Sequence, residues 1–194
     1  MNSTREELIE FALGFSGASA DGKNSDEYLT LLSRDAESAQ TRKDMGKMSS
    51  CALFVRAVWW WLGLEHEIYT RPYRTGYAPI DVVRIGKDHG AYIPGYKLSN
   101  QTYPKAGDAF YIATKDGKRE HFGIVTKELL IQPGTFKYET VEGGQGPGGR
   151  TIEKLTRSIF KTKEMYPSIG DRLLLAWFDC DSLKLPGLRS DPSK

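Results

Sequence analysis

Residues 49–64 read SSCALFVRAVWWWLGL. Between Cys51 and Leu62 only Arg56 is polar, so a helix here is apolar on nearly every face and must be buried on nearly every side. Ser49 stands at an N-cap position, and Gly63 stands just past the end, where a left-handed backbone usually closes a helix. At about 100° per residue, Trp59, Trp60 and Trp61 spread over roughly 200° and cannot share a face. They read as core rather than as a sugar-stacking platform, with room for one of them to line a pocket wall.

Cys51 falls in the first turn, where the helix dipole and the outward-pointing N–H groups favour an anion. Together with a nearby imidazolium, that placement lowers a thiol from about 8.5 into roughly the 3.5–7.5 range. Free cysteine is also among the most buried residue types. The helix alone leaves two readings open, a packed core cysteine and a nucleophile.

The surrounding chain narrows the classes. Its 194 residues suit one domain with a sizeable core. A net charge of +2 is far from the footprint of a nucleic-acid binder. The longest apolar run, Ala57 to Leu64, falls well short of the roughly 20 residues a membrane helix needs, so no membrane insertion is expected. The start, MNSTREELIEFALGF, carries acids where a secretory signal carries bases. It reads instead as a helix, with Ser3 and Glu6 fitting a capping box and Leu8, Phe11, Ala12 and Phe15 at helical spacing. Two cysteines (Cys51, Cys180) and three histidines (His66, His89, His121) lie too scattered for a disulfide framework or a zinc cluster. Free thiols and no metal or cofactor are expected.

Two helices are expected in residues 1–40, the second amphipathic and around 26–39, separated by the loop SGASADGKNS (16–25). A polar connection (40–48) leads to the tryptophan helix, and a short helix follows around 79–90. From residue 100 the texture changes to short β-rich segments at 108–114, 121–127, 136–142, 150–156 and 172–179, with turn signals between them. Helices followed by a meandering antiparallel sheet make an α+β pattern.

His121 opens one of these strands, two residues before Gly123, where a general base could stand and a glycine could admit a neighbour. A hydrogen-bonded edge histidine is the plainer alternative. Glu142 ends the next strand and can lie beside the imidazole to fix its tautomer, or be an ordinary acid before a hairpin. The loop GGQGPGG (143–149) lacks the Gly-Lys-Ser/Thr ending of a phosphate-binding loop and reads as a connection at the rim of a site. His66 and His89 read as surface residues.

The order SSCALFV, PKAGDAF, HFGIV and TVEGG resembles the papain-like cysteine amidases of bacterial cell-wall metabolism, the CHAP and NlpC-type families, over about residues 48–178. In that superfamily a cysteine starts the central buried helix, and a Pro-x-x-Gly-Asp lead-in precedes a His-hydrophobic-Gly-Ile-Val strand and a Val-Glu-Gly-Asn-like strand end. The resemblance implies a papain-like or NlpC-like α+β fold: N-terminal helices, then a central Cys-bearing helix packed on an antiparallel sheet. One catalytic domain would cover 1–194, with 1–40 as a helical extension that the resemblance does not explain. It implies Cys51 as nucleophile, with its own backbone N–H in the oxyanion hole, His121 as base and Glu142 as third member. Two departures stand out: Gly144 replaces the asparagine common after the glutamate in CHAP enzymes, with Gln145 as a candidate substitute, and Ser50 replaces the usual NlpC aspartate.

The implied activity is hydrolysis of amide bonds in peptidoglycan stem peptides, without cofactor. Made in the cytoplasm without a signal, such an enzyme would reach the periplasm or cell wall by lysis or through a secretion system. An injected antibacterial effector would be matched by an immunity protein. The same residues also fit a cysteine protease or deamidase toxin acting on a protein substrate, and an inactive binding domain of this fold is the non-enzymatic alternative.

Overall fold

The structure, a computed structural model, describes residues 3–22, 24–33, 50–70 and 78–189. Seven strands form one antiparallel sheet: β1 (Tyr92–Pro94), β2 (Ala109–Thr114), β3 (Glu120–Gln132), β4 (Thr135–Gln145), β5 (Thr151–Phe160), β6 (Ser168–Ile169) and β7 (Arg172–Phe178). Their order is β1-β7-β2-β3-β4-β5-β6, and β6 pairs again with β7. Six strands therefore close on themselves as a barrel, and β1 is an extra strand on β7. One edge of β7 is shared: β6 takes Leu173 and Arg172, while β1 takes Ala176 to Phe178.

This closure overturns the expected papain-like layout of helices packed on an open sheet. Two local features produce it. Register shifts interrupt β3–β4 pairing between Val125 and Lys127 and between Glu128 and Leu130, and such bulges bend and coil a long hairpin. The second feature is the two-residue strand β6, which sequence patterning did not expect. It is held by a two-residue turn, Gly170-Asp171, between paired Ile169 and Arg172. Gly170 at φ 60° supplies the left-handed first position that a II′ hairpin requires.

Side chains alternate between two cores. Phe110, Ile112, Val125, Phe136, Tyr138, Ile159, Leu174 and Trp177 form one cluster that fills the barrel. Ala109, Phe122, Ile124, Val141, Ile152 and Phe178, on the outer faces of their strands, join the helices in the other. The helices are α1 (Ser3–Gly14), α2 (Ser25–Ser33), α3 (Cys51–Trp61), α4 (Ala78–Asp88) and α5 (Cys180–Leu183). α3 packs on β3 and β4 and is covered by α1, α2 and α4. Of the second expected helix, the part beyond residue 33 lies outside the described residues, as does the Ser49 cap.

α3 is buried from Cys51 to Trp59, with Trp60 and Trp61 half-buried. Its one charged residue, Arg56, pairs with the buried Asp81 of α4. Gly63, at φ 82°, donates to the Trp60 carbonyl at 2.9 Å while Leu64 donates to Trp59 at 3.0 Å, a Schellman closure. The C-terminal tail then takes up further carbonyls, through Gly187 N–H to Leu62 (3.1 Å) and Arg189 N–H to Trp61 (2.8 Å). No helix among the described residues is long and apolar enough to cross a membrane.

α1 is tied to the barrel by Arg5. Its guanidinium donates to Asp108 (2.7 Å), Asp179 (2.8 Å), Asp181 (2.9 Å) and the Ala106 carbonyl (2.7 Å). Asp108, from the PKAGD lead-in, also accepts from the N–H groups of Lys105 and Cys180. That motif is a structural joint here.

Candidate active site

Cys51 is the first residue of α3 and 7% exposed. Ser50 occupies the N-cap but makes no side-chain cap bond; its carbonyl accepts from Phe54 N–H at 2.7 Å to begin the helical ladder. The Ser50 hydroxyl is spent elsewhere, accepting from Gly144 N–H at 2.7 Å, while Ser50 N–H donates to the Gly149 carbonyl at 3.2 Å. The start of α3 is thereby fastened to the end of β4 and the loop after it. Gly143 permits this contact: a Cβ there would lie 2.8 Å from both the Ser50 carbonyl oxygen and Phe54 Cβ.

The structure brings Cys51, His121 and Glu142 together. His121 Nε2 lies 2.6 Å from Glu142 Oε2, both side chains being buried, 5% and 0% exposed. The Cys51 thiol hydrogen-bonds the same imidazole. Burial works against a charged imidazole, but its interactions with Cys51 and Glu142 outweigh it and raise the His121 pKa above its ordinary value.

Glu142 is the most heavily bonded group in the site. Oε1 accepts from Thr140 Oγ1 (2.6 Å) and Arg157 Nε (2.8 Å); Oε2 accepts from Arg157 Nη2 (2.6 Å), His121 (2.6 Å) and Gln145 Nε2 (3.2 Å). Burial pushes the carboxyl up, yet the Arg157 fork and His121 hold it down at about 2. It is ionised whenever the protein is folded near neutrality.

Gln145 reaches this cluster through a bulge. Glu142 pairs with Glu153 and Gln145 with Thr151, so Gly143 and Gly144 together oppose Ile152 alone, with Gly144 at φ 76°. The extra residue returns Gln145 to the face of Glu142, from which strict alternation would have removed it. Its amide nitrogen also lies 3.1 Å from His121 Nε2. With that ring nitrogen donating to Glu142, the amide bond that counts is the one to the carboxylate.

Gly123 serves the site differently from the sequence expectation. A Cβ there would sit 2.6 Å from both Glu142 Cγ and Phe110 Cζ, so the glycine makes room for the orienting acid rather than for an incoming ligand. Of the remaining candidates, Cys180 is buried beside Asp108 and its thiol is pushed up to about 12 by burial. The side chain of His66 is 7% exposed rather than on the surface, bonded through Nε2 to Asp88 at 3.1 Å, with its ring tilted against that of His89. No group of three or more metal-ligating side chains occurs among the described residues.

Sequence reading missed Arg157, Thr140 and the clamp role of Ser50. Thr140 stands two residues before Glu142, the spacing that puts both on one face of a strand. Arg157 gave no such signal. Its inward direction follows only once Tyr138 is known to pair with it.

A groove of about 430 Å³ opens on the outer face of β2 and β3, between Ile80, Val83 and Lys87 of α4 and Tyr111 and Glu120. Tyr111 donates to the Glu120 carboxylate, next to His121 in the chain. The chain matches no protein-family model, no curated protein and no solved structure.

Proposed function

We propose that the protein is a cysteine hydrolase that cleaves amide bonds by covalent catalysis. The observation that supports this most is a thiol at a helix start, hydrogen-bonded to a buried imidazole that is itself bonded to a buried, ionised carboxylate. That is the order nucleophile, base, orienting group. The Cys51 thiol passes its proton to His121 and its sulfur attacks the carbonyl carbon, and the oxyanion is received by backbone N–H groups at the start of α3, that of Cys51 among them. The tetrahedral adduct collapses as the His121 imidazolium protonates the leaving amine, giving a thioester. His121 then removes a proton from water, whose oxygen attacks the thioester, releasing the carboxylic acid and restoring the thiol–imidazole pair.

The substrate class, peptidoglycan stem peptides, rests on the resemblance of the Cys51, His121 and Glu142 motifs to wall amidases. Incubation with purified peptidoglycan, followed by mass spectrometry of the released fragments, tests it. Wild-type protein is expected to release fragments with new amine and carboxyl termini, and Cys51→Ala to release none. Intact muropeptides beside a fully alkylatable Cys51 would overturn this substrate class, and a thiol inert to iodoacetamide near neutrality would overturn the nucleophile itself.

A further inference from the structure

Arg157 lies on β5, outside every motif that marks the site, yet it makes two of the five hydrogen bonds to the Glu142 carboxylate. The two run in parallel, Nε to Oε1 and Nη2 to Oε2, a fork that fixes a carboxylate plane as well as its charge. Its side chain is 31% exposed, whereas that of Glu142 is fully buried. Arg157 is thus partly exposed while the charge it holds is not. Thr140 and Gln145 hold the same carboxylate without carrying charge.

Resting on the hydrolase reading above, we propose that Arg157 is a positioning residue whose guanidinium fork orients Glu142 toward His121 and balances its charge, so that the thiol–imidazole pair works beside a neutral ion pair. With Arg157 in place, the buried site holds Glu142 and Arg157 as opposite charges, leaving one net proton to be shared between Cys51 and His121. Without it, a lone carboxylate faces both groups. A lone anion stabilises the imidazolium and opposes a thiolate, so both titrations move to higher pH. Among the described residues, other charged or titratable groups stand around this unit, Arg150 and Asp21 beside Tyr28 among them. Tyr28 of α2 feels Cys51, Glu153 stands opposite Glu142 in the β4–β5 register, and Asp171 in the β6–β7 turn acts on Arg157.

The test is the pH dependence of the rate at which iodoacetamide alkylates Cys51, which needs no substrate. Cys180, with its thiol pushed up to about 12, stays out of the fast phase. Arg157→Gln is expected to displace the profile by about one pH unit toward alkali, about tenfold slower alkylation on the acid limb. Arg157→Lys keeps a charge against Glu142, which favours folding, but loses the fork; it should move the profile in the same direction by a smaller amount. A folded variant with lowered thermal stability and an unmoved profile would show a purely structural arginine and overturn the proposal. Failure is separable from that of the hydrolase reading: a wild-type protein without a fast thiol sinks the reading itself, whereas a fast wild-type thiol with unmoved variants sinks only the role of Arg157.

Discussion

Glu142 carries opposite obligations, since it must stay charged to hold His121 and yet is shut away from water. Five hydrogen bonds resolve the conflict, and they also link the site to stability. The folded carboxyl sits at about 2 against an ordinary 4.5, so the folded state binds this proton less readily than the unfolded chain. The resulting stabilisation, about 3 kcal/mol, is fully present above the unfolded value and is lost as pH falls from about 4.5 to about 2. His121 shifts the other way. Its stabilisation is complete below about pH 6.5 and is lost as pH rises through its higher folded value. Glu142→Gln should flatten both flanks of a urea-unfolding stability profile against pH. A profile with both flanks intact would exclude the linkage. Legibility at this scale was uneven: Cys51, His121 and Glu142 stand in motifs and meet in space, but Arg157 belongs to the site only through pairing that local sequence does not encode.

At the scale of elements, α3 matters chiefly for where it begins. Its Gly63 end was readable, but its start lies one residue later than the sequence suggests, since Ser50 rather than Ser49 holds the N-cap and leaves its side chain off the helix. The join between α3 and β4 was not legible, because it depends on Ser50 spending its hydroxyl on Gly144 instead of on its own helix, and on a bulge that turns Gln145 inward. Gly143 is the contact point. Gly143→Val would press a side chain into the Ser50 carbonyl and Phe54, so the helix start must retreat from the strand end. Overpacking of this kind costs about 1–3 kcal/mol. The expected signature is disproportionate: a modest fall in urea midpoint but a loss of fast Cys51 alkylation, because the displaced end of the helix is the end that carries the thiol. Equal losses in both measurements would mean that the join supports the fold without aiming the sulfur.

For the whole molecule, closure of the barrel and attachment of the helices are long-range events, and this is where sequence patterning failed. The strands between residues 108 and 179 were mostly visible as short β-rich segments; their union into a ring was not, since it hangs on the two-residue β6 and on bulges whose positions depend on register. The N-terminal helices looked like an accessory extension, but the Arg5 joint makes α1 integral. One buried guanidinium bridges α1 to the lead-in to β2 and to the start of α5, each more than a hundred residues along the chain from Arg5. Removing it leaves Asp108 buried, where desolvation already pushes its carboxyl up to about 6 despite the opposing pull of Arg5. Breaking one side of a buried pair costs about 3–5 kcal/mol, far more than an exposed surface pair is worth. Arg5→Met should therefore lower the unfolding free energy by about that amount, and Arg5→Met with Asp108→Asn should recover a large part of it, because the second change removes the stranded charge. Both follow from urea denaturation watched by tryptophan fluorescence, which reports Trp59 in the core that α1 covers. A single variant as stable as wild type would mean that α1 is an appendage after all, and that the barrel and α3 hold the site without it.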